Sequence, residues 1–368
     1  MAVSGAVLVL FVTFHCCMNA IAICWPATYN SLCEFLGANW YALVASVFLA
    51  LFILLHIVYA CWLTLQNRKA RGPVAYAVSK KPKTVEWSSK NMLVLGIVVL
   101  GFLVVHLIQF WAKMQLQEIR GVHDVLPPAA GTLFLQEAFQ TNWTLIVYGI
   151  GFAALWLHLN HGIWSMFQSV GWDNTKWIAR FKKLALGWST FIFLVFMAEG
   201  IVFTVKAHEG YFKTNPTLRE QYKDMLVPMF EKDFGPDAAV NYGVINPSNL
   251  SYEEYNWLVD QYLKRNAAMP ETIDEVLEVP EVKAQLSQIP SNEDKQKFLG
   301  MLSDQIEANK RLKHAKALLD YLNGTQASQD VVPAFEAAPA PVFEEEEIGI
   351  QEFAAPADLP EDNEETIN

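Results

Sequence analysis

The stretch YALVASVFLALFILLHIVYACWLTLQNRKAR, residues 41–71, decides the fold. Residues 41–65 carry no Asp, Glu, Lys or Arg, and at ~1.5 Å per helical residue that length crosses a hydrocarbon layer of ~30 Å. The run then breaks into Arg68, Lys69 and Arg71. One ionisable side chain, His56, lies inside it. Working outward, four more apolar runs of spanning length appear, at about 2–23, 92–114, 142–168 and 184–205. The first has no basic residue before it and no small-residue cleavage pattern after it, so it reads as a true span rather than a signal peptide. An all-α membrane protein, a bundle of five transmembrane helices, is the expected architecture.

Charge divides the chain. Residues 1–207 carry a net +7 and residues 208–368 a net −18, which together make the −11 of the whole. An apolar, slightly basic membrane part therefore precedes a polar, acidic extension, and a soluble two-domain enzyme is excluded. The segment after the second span holds Arg68, Lys69, Arg71, Lys80, Lys81, Lys83 and Lys90 against Glu86. The segment after the fourth holds Lys176, Arg180, Lys182 and Lys183 against Asp173. Loops 24–40 and 115–141 hold one basic residue between them, Arg120. By the positive-inside bias the basic loops face the cytoplasm, which puts the N-terminus inside and the tail outside. Trp40, Tyr41, Trp87, Trp143, Trp172 and Trp177 lie near span ends, where amphipathic rings favour the headgroup zone.

Nucleotide-binding loops, the GxSxG elbow, CxxC and HExxH are all missing from the sequence, and nothing suggests nucleic-acid binding. The five cysteines, at 16, 17, 24, 33 and 61, read as small apolar residues, although Cys24 and Cys33 flank one outer loop. The histidines carry the chemistry. Four spans contain one, and an ionisable residue inside a membrane is a functional candidate by default. His15 and His106 each lie 8 residues from the outer ends of their spans, whereas His56 and His158 lie 9 and 10 from the inner ends of theirs. Two levels of two imidazoles result, about 6 residues or ~9 Å apart in depth. Zinc would need three or four ligands at one site. Haem b needs two axial imidazoles from opposed helices in an apolar slot and no CxxCH attachment, so two haems b fit. Gly96, Gly101, Gly149 and Gly151 are small enough to let helices part around a macrocycle. His161, one turn from His158, is a competing ligand or a haem-propionate contact, and Arg68 and Lys69 are further propionate candidates. His123, His208 and His314 fall outside the spans.

The stretches TFHCCMN (13–19), LHIVYACWLTLQNRKARG (55–72), VVHLIQFW (104–111) and LHLNHGIWSMFQSVGW (157–172) resemble the cytochrome b subunit of succinate dehydrogenases and fumarate reductases. The likeness is to the single-chain, five-span, di-haem type and covers residues 1–207, the HxxxGxWS-like pattern at 158–165 being its most specific piece. It implies that His56 and His158 bind the proximal haem and His15 and His106 the distal one. It further implies a flavoprotein subunit, an iron–sulfur subunit, membrane quinone (usually menaquinone) as redox partner, and the cytoplasmic membrane of a bacterium. Such a subunit is not catalytic for succinate or fumarate by itself. Two features differ from the family pattern: the chain starts almost at the membrane, and the extension has no counterpart.

Quinone chemistry needs a proton carrier near the outer haem. Glu34, the acidic residue of the first outer loop, is the first candidate. Glu199, in the outer part of span 5, is the second, with pairing to Lys206 as its purely structural explanation. In the extension, 208–324, helices are expected at 251–265 and 292–323, while 325–368 is acidic Ala/Pro/Glu-rich sequence expected to be disordered. A solvated appendage is the expected role of the whole extension. Other di-haem b cytochromes, such as ferric reductases and the membrane subunits of hydrogenases and formate dehydrogenases, form the alternative redox class. In those, two ligands commonly share one helix. A scaffold or transporter whose histidines relay protons is the non-redox alternative.

Overall fold

The computed structural model describes residues 1–72, 87–120, 126–235 and 250–324. Lys80, Lys81, Lys83, Glu86, His123 and the segment 325–368 lie outside the described residues. Within these limits the chain is helical, without a strand. The helices are α1 (Ala2–Cys24), α2 (Pro26–Ala38), α3 (Trp40–Arg71), α4 (Trp87–Lys90), α5 (Met92–His106), α6 (Gln115–Arg120), α7 (Gly131–Phe139), α8 (Asn142–Ser169) and α9 (Thr175–His208). The extension adds α10 (Tyr211–Thr214), α11 (Pro216–Phe234), α12 (Tyr252–Arg265), α13 (Ile273–Glu278), α14 (Pro280–Gln288) and α15 (Asn292–Asn323).

Five helices are long and apolar enough to cross a membrane: α1, α3, α5 with its continuation to Trp111, α8 and α9. Their large apolar side chains, among them Leu10, Val47, Phe48, Leu51, Ile97, Ile146 and Leu194, face outward. Such a surface is stable only against lipid or another apolar partner. The α8–α9 pair packs most extensively, and α5 and α1 pack against α8. A close approach at Gly151 permits the α5–α8 contact: a Cβ there would lie 2.4 Å from the Phe102 ring. Gly151 therefore seats a phenylalanine instead of opening room for a macrocycle. After His106 the α5 backbone passes into one π-helical turn, Leu107–Trp111, closed by Ala112 N–H donating to the Leu107 carbonyl at 2.8 Å. Turns of this kind are frequent at functional sites.

The two segments expected to be outer loops are helical: 24–40 contains α2, and 115–141 contains α6 and α7. Almost every residue of α7 is buried. This helix packs against α9 and α2, and from the extension α10 packs onto α7 and α11 onto α2, so the described part of the extension is no solvated appendage. Asn30 and Thr132, both fully buried, centre the junction. The Thr132 N–H and hydroxyl donate to Asn30 Oδ1 at 2.9 and 2.8 Å, and the Thr132 hydroxyl lies 2.8 Å from the Tyr222 hydroxyl. Tyr222 donates to the Phe212 carbonyl at 2.8 Å, Asn30 donates to Gln221 Oε1 at 3.0 Å, and Gln136 donates to the Ala207 carbonyl at 2.7 Å. These bonds spare most of the junction's buried polar groups a penalty of ~1–3 kcal/mol per orphan, whereas Gln136 Oε1 is buried without a partner. Beyond the junction, Leu258, Leu318, Leu319 and Tyr255 fill a core of ordinary soluble type. Ser251 starts α12 with a reciprocal capping box to Glu254, and Ser291 caps α15, so the helices expected at 251–265 and 292–323 are α12 and α15. The end of the bundle that carries α2, α7 and the extension is called the capped end below.

Candidate functional site

Four helices deliver four histidines to two places. His15 on α1 and His106 on α5 meet with ring centroids 5.7 Å apart and planes at 83°. His56 on α3 and His158 on α8 meet at 6.3 Å and 59°. The first pair lies nearer the capped end. These are the two couples that equal depth in the spans assembles. Neither couple rides on helices that pack closely: α1 and α5 share no extensive contact, nor do α3 and α8. The imidazoles reach across a gap that the backbones leave open.

The spacing tests the cofactor. Two imidazoles bound to opposite sides of one metal ion, with metal–nitrogen bonds of ~2.0–2.1 Å, hold their ring centroids roughly 6 Å apart. Both couples have that separation. Among the described residues no three His, Cys, Asp or Glu side chains converge as a metal site. A donor set of two imidazoles suits an iron whose other four ligands come from a tetrapyrrole.

The surroundings are apolar and aromatic. Phe11 stacks on His15 at 5.4 Å, and Phe196 lies 6.4 Å from it. Phe102 and Phe110 flank His106 at 5.9 and 5.3 Å. At the other couple, Gly5 and Gly96 face the rings: a Cβ would lie 4.0 Å from His56 Cε1 and 3.8 Å from His158 Cε1 respectively. Gly96 thus keeps the place beside the site that its size suggested. Gly101 and Gly149 meet nothing within 4 Å.

Polar side chains that the histidine pattern did not single out hold the rings. Ser4 Oγ lies 3.2 Å from His56 Nδ1, and the Tyr148 hydroxyl lies 3.3 Å from His106 Nδ1. Asn19 Nδ2 lies 3.0 Å from His15 Nε2, and the Tyr29 hydroxyl donates to Asn19 Oδ1 at 3.4 Å. An iron at that level would take the other nitrogen of His15 or displace the Asn19 amide. His158 Nδ1 is buried without a hydrogen-bond partner. The signal for these residues was present in the sequence, since Ser4, Asn19, Gln109 and Tyr148 are polar groups set in apolar spans.

The remaining candidates separate. His161 packs edge-on against Trp164 at 4.8 Å, over which Lys182 Nζ sits at 4.3 Å. His161 therefore lies beside the His56/His158 couple without being one of its two facing rings. Arg68 and Lys69 are exposed in the last turn of α3. Glu34 is exposed on α2, whereas Glu199 is 4% exposed with Oε1 buried and unbonded. Lys206 does not pair with Glu199: its ammonium donates to the Ile23 carbonyl at 2.7 Å and sits over the Tyr211 ring. Beyond the spans, burial pushes the Cys33 thiol up to about 12, against hydrogen bonds from Tyr29 and the Gly131 backbone. It is packed so tightly that a Cβ at Gly131 would lie 2.4 Å from its sulfur. Cys33 is thus a packing group, and none of the five cysteines forms a disulfide.

No family model, curated protein or solved structure matches this chain.

Proposed function

We propose that the chain is a di-haem cytochrome b, the membrane anchor of a succinate:quinone oxidoreductase. It would carry electrons between an iron–sulfur subunit and membrane quinone, menaquinone by resemblance. The observation that supports this most is the spacing of two imidazole couples, each at the separation of two ligands on one ion and each bridging helices that do not pack. When bound, haem b supplies a one-electron couple at each level. His56 and His158 would hold one iron, and His15 and His106 the other, with His161, Arg68 and Lys69 available to propionates.

By the positive-inside bias the basic residues at the uncapped end would put it in the cytoplasm, where the iron–sulfur and flavoprotein subunits would dock, and the capped end in the periplasm. Electrons from succinate would meet the His56/His158 level first. The chain's own part at the far level is to exclude water, through the Phe11, Phe196, Phe102 and Phe110 box, and to move protons. Burial favours Glu199 over the exposed Glu34 for that role. Flavin chemistry on succinate belongs to another subunit.

The test is optical. The purified full chain should give a dithionite-reduced-minus-oxidised spectrum with b-haem bands and two haems per chain. A colourless chain would return the histidines to the proton-relay reading. Copurification of a flavoprotein and an iron–sulfur protein separates this complex from other di-haem cytochromes. Replacing Glu199 by Gln should depress quinone-linked turnover while leaving dye reduction by succinate intact, whereas Glu34→Gln should do little.

A further inference from the structure

Each histidine couple contains one ring whose Nδ1 faces a hydroxyl from another helix. At the capped-end level this is His106 and Tyr148, 3.3 Å apart. A phenol has one proton to give, and here it is already given: the Tyr148 O–H donates to Gln109 Oε1 at 2.9 Å. At its other end the Gln109 amide meets Thr144, Nε2 donating to Oγ1 at 3.5 Å. Thr144 is fully buried and lies 3.1 Å from the Thr141 hydroxyl. With its proton committed, the Tyr148 oxygen can only accept at His106. The hydrogen between them therefore belongs to His106 Nδ1, and Nε2 is left with a bare lone pair.

Gln109 lies three residues beyond His106, within the π-helical turn Leu107–Trp111. Both side chains meet the same phenol of Tyr148 on α8. Tyr148 itself is 4% exposed and wedged against Phe102, Phe139 and Phe152. Its oxygen has little freedom to look elsewhere.

We infer that Tyr148, oriented by Gln109, is a positioning residue that locks His106 as the Nδ1–H tautomer and so presents Nε2 to the couple. The inference rests on the di-haem reading for its consequence, but not for its geometry. An Nδ1–H donated to an acceptor makes an imidazole more basic and favours the more highly charged state of the metal it binds. Tyr148 would thus hold the His15/His106 level at a lower potential than an unsupported imidazole. At the other level the same arrangement recurs with a smaller group: Ser4 donates to the Met1 carbonyl at 3.1 Å and faces His56 Nδ1 at 3.2 Å.

Two measurements on the full chain test this. In bilayers, ring 15N spectra of the chain expressed without haem should show His106, identified by its loss in His106→Gln, as Nδ1–H with Nε2 bare. Tyr148→Phe should redistribute that signal between tautomers. In the haem-loaded chain, Tyr148→Phe should raise the potential of the component that disappears in His15→Ala and leave the other in place. A tenfold loss in the ferric-over-ferrous preference, the lower end of the ~10–100-fold effects seen for such supporting groups, is ~59 mV for a one-electron couple. Ser4→Ala should move only the other component. Gln109→Leu, which frees the phenolic proton, should move the first in the same direction as Tyr148→Phe, and it tests the inference even if Tyr148→Phe fails to fold. An Nε2–H tautomer at His106 would overturn the inference, as would an unmoved potential in both variants. A chain that binds no haem would overturn the proposed function alone, because the tautomer is read without it.

Discussion

The bundle and the extension bury their side chains in opposite senses. In the bundle, Val47, Phe48, Leu51 and Leu54 point outward at 48–62% exposure, while Asn30, Thr144, Ser189, Glu199 and the histidine couples lie inside or between helices. In α10–α15 the order is reversed: Leu218, Tyr222, Leu258, Leu318 and Leu319 are at 0–1% exposure, and the charges of α15 face out. Only Trp257 and Met301 are large exposed apolar groups there. The difference shows that one chain is folded against two solvents. It also shows where a polar residue means function: inside α1, α3, α5 and α8 it must be satisfied by a partner or a ligand, whereas on α15 it is simply wet.

The largest expected effect separates the histidines of the two regions. His56→Ala and His15→Ala should each abolish a different one of two haem components in the difference spectrum. His314→Ala, on the exposed side of α15, should abolish neither. Loss of one common component in both bundle variants would break the pairing.

The next test exchanges the solvents. Leu51 is 48% exposed near the middle of α3, and Met301 is 61% exposed on α15. Arginine in place of Leu51 should cost ~2.5–3.5 kcal/mol of insertion and lower the membrane-integrated fraction accordingly. At Met301 the same change should stay within ~0.5 kcal/mol in thermal unfolding. Equal effects at the two sites would mean that the bundle's outer face is covered by protein instead of lipid.

Much of this was legible in the sequence, and the physical reason is periodicity and exclusion. Five long, almost uncharged runs point to a helical bundle, and equal depth alone puts His15 with His106 and His56 with His158. What could not be read was lateral: whether a segment between spans lies in water or under a cap. The segment 115–141 looks like a loop because it is short and mixed, yet α7 is buried between α9, α2 and the extension's α10. Nothing in α7 itself announces Tyr222, which is 90 residues away. Glu34 looked the better proton carrier from its loop position, while Glu199 is buried and unbonded on α9, against which α1 packs. Tyr148 and Gln109 stood in the sequence as polar groups in apolar spans, but their shared contact with His106 is visible only in the fold.

The cap junction gives the third test. Thr132→Val keeps the shape but removes the hydroxyl that joins Asn30 on α2 to Tyr222 on α11. Asn30 would still accept from the Thr132 N–H and Tyr222 still donate to the Phe212 carbonyl, so the loss should be that of a net hydrogen bond, ~0.5–1.5 kcal/mol. Faster amide exchange in α2, α7 and α11, with unchanged exchange in α3, would mark the loss as local to the cap. Global loosening would mean that the bundle depends on its cap.

The smallest effect is one of pH, and it should appear in the extension alone. Burial would raise the Glu220 carboxyl, but Lys223 Nζ at 2.9 Å and the Tyr252 N–H at 3.0 Å outweigh it and hold Glu220 below its ordinary value. Burial would lower Lys223, but Glu220 and Asp224 outweigh it and hold the ammonium above its ordinary value. The carboxylate's contribution is therefore complete above its unfolded pKa of ~4.3 and is lost as pH falls through the lower folded value. The ammonium's contribution is complete below ~10.4 and is lost as pH rises through the higher folded value. The α11–α12 junction should thus be most stable on a plateau between ~5 and ~10. The Glu220 side chain is 45% exposed, so solvent screening limits its share to ~1 kcal/mol or less. Amide protection factors in α12, corrected for the intrinsic exchange rate and followed from pH 6 down to 3, should fall on the acid side, and Glu220→Gln should flatten that limb. An acid limb that survives Glu220→Gln unchanged would assign it to another carboxylate of the cap, and one that appeared equally in α8 would erase the contrast between the two regions.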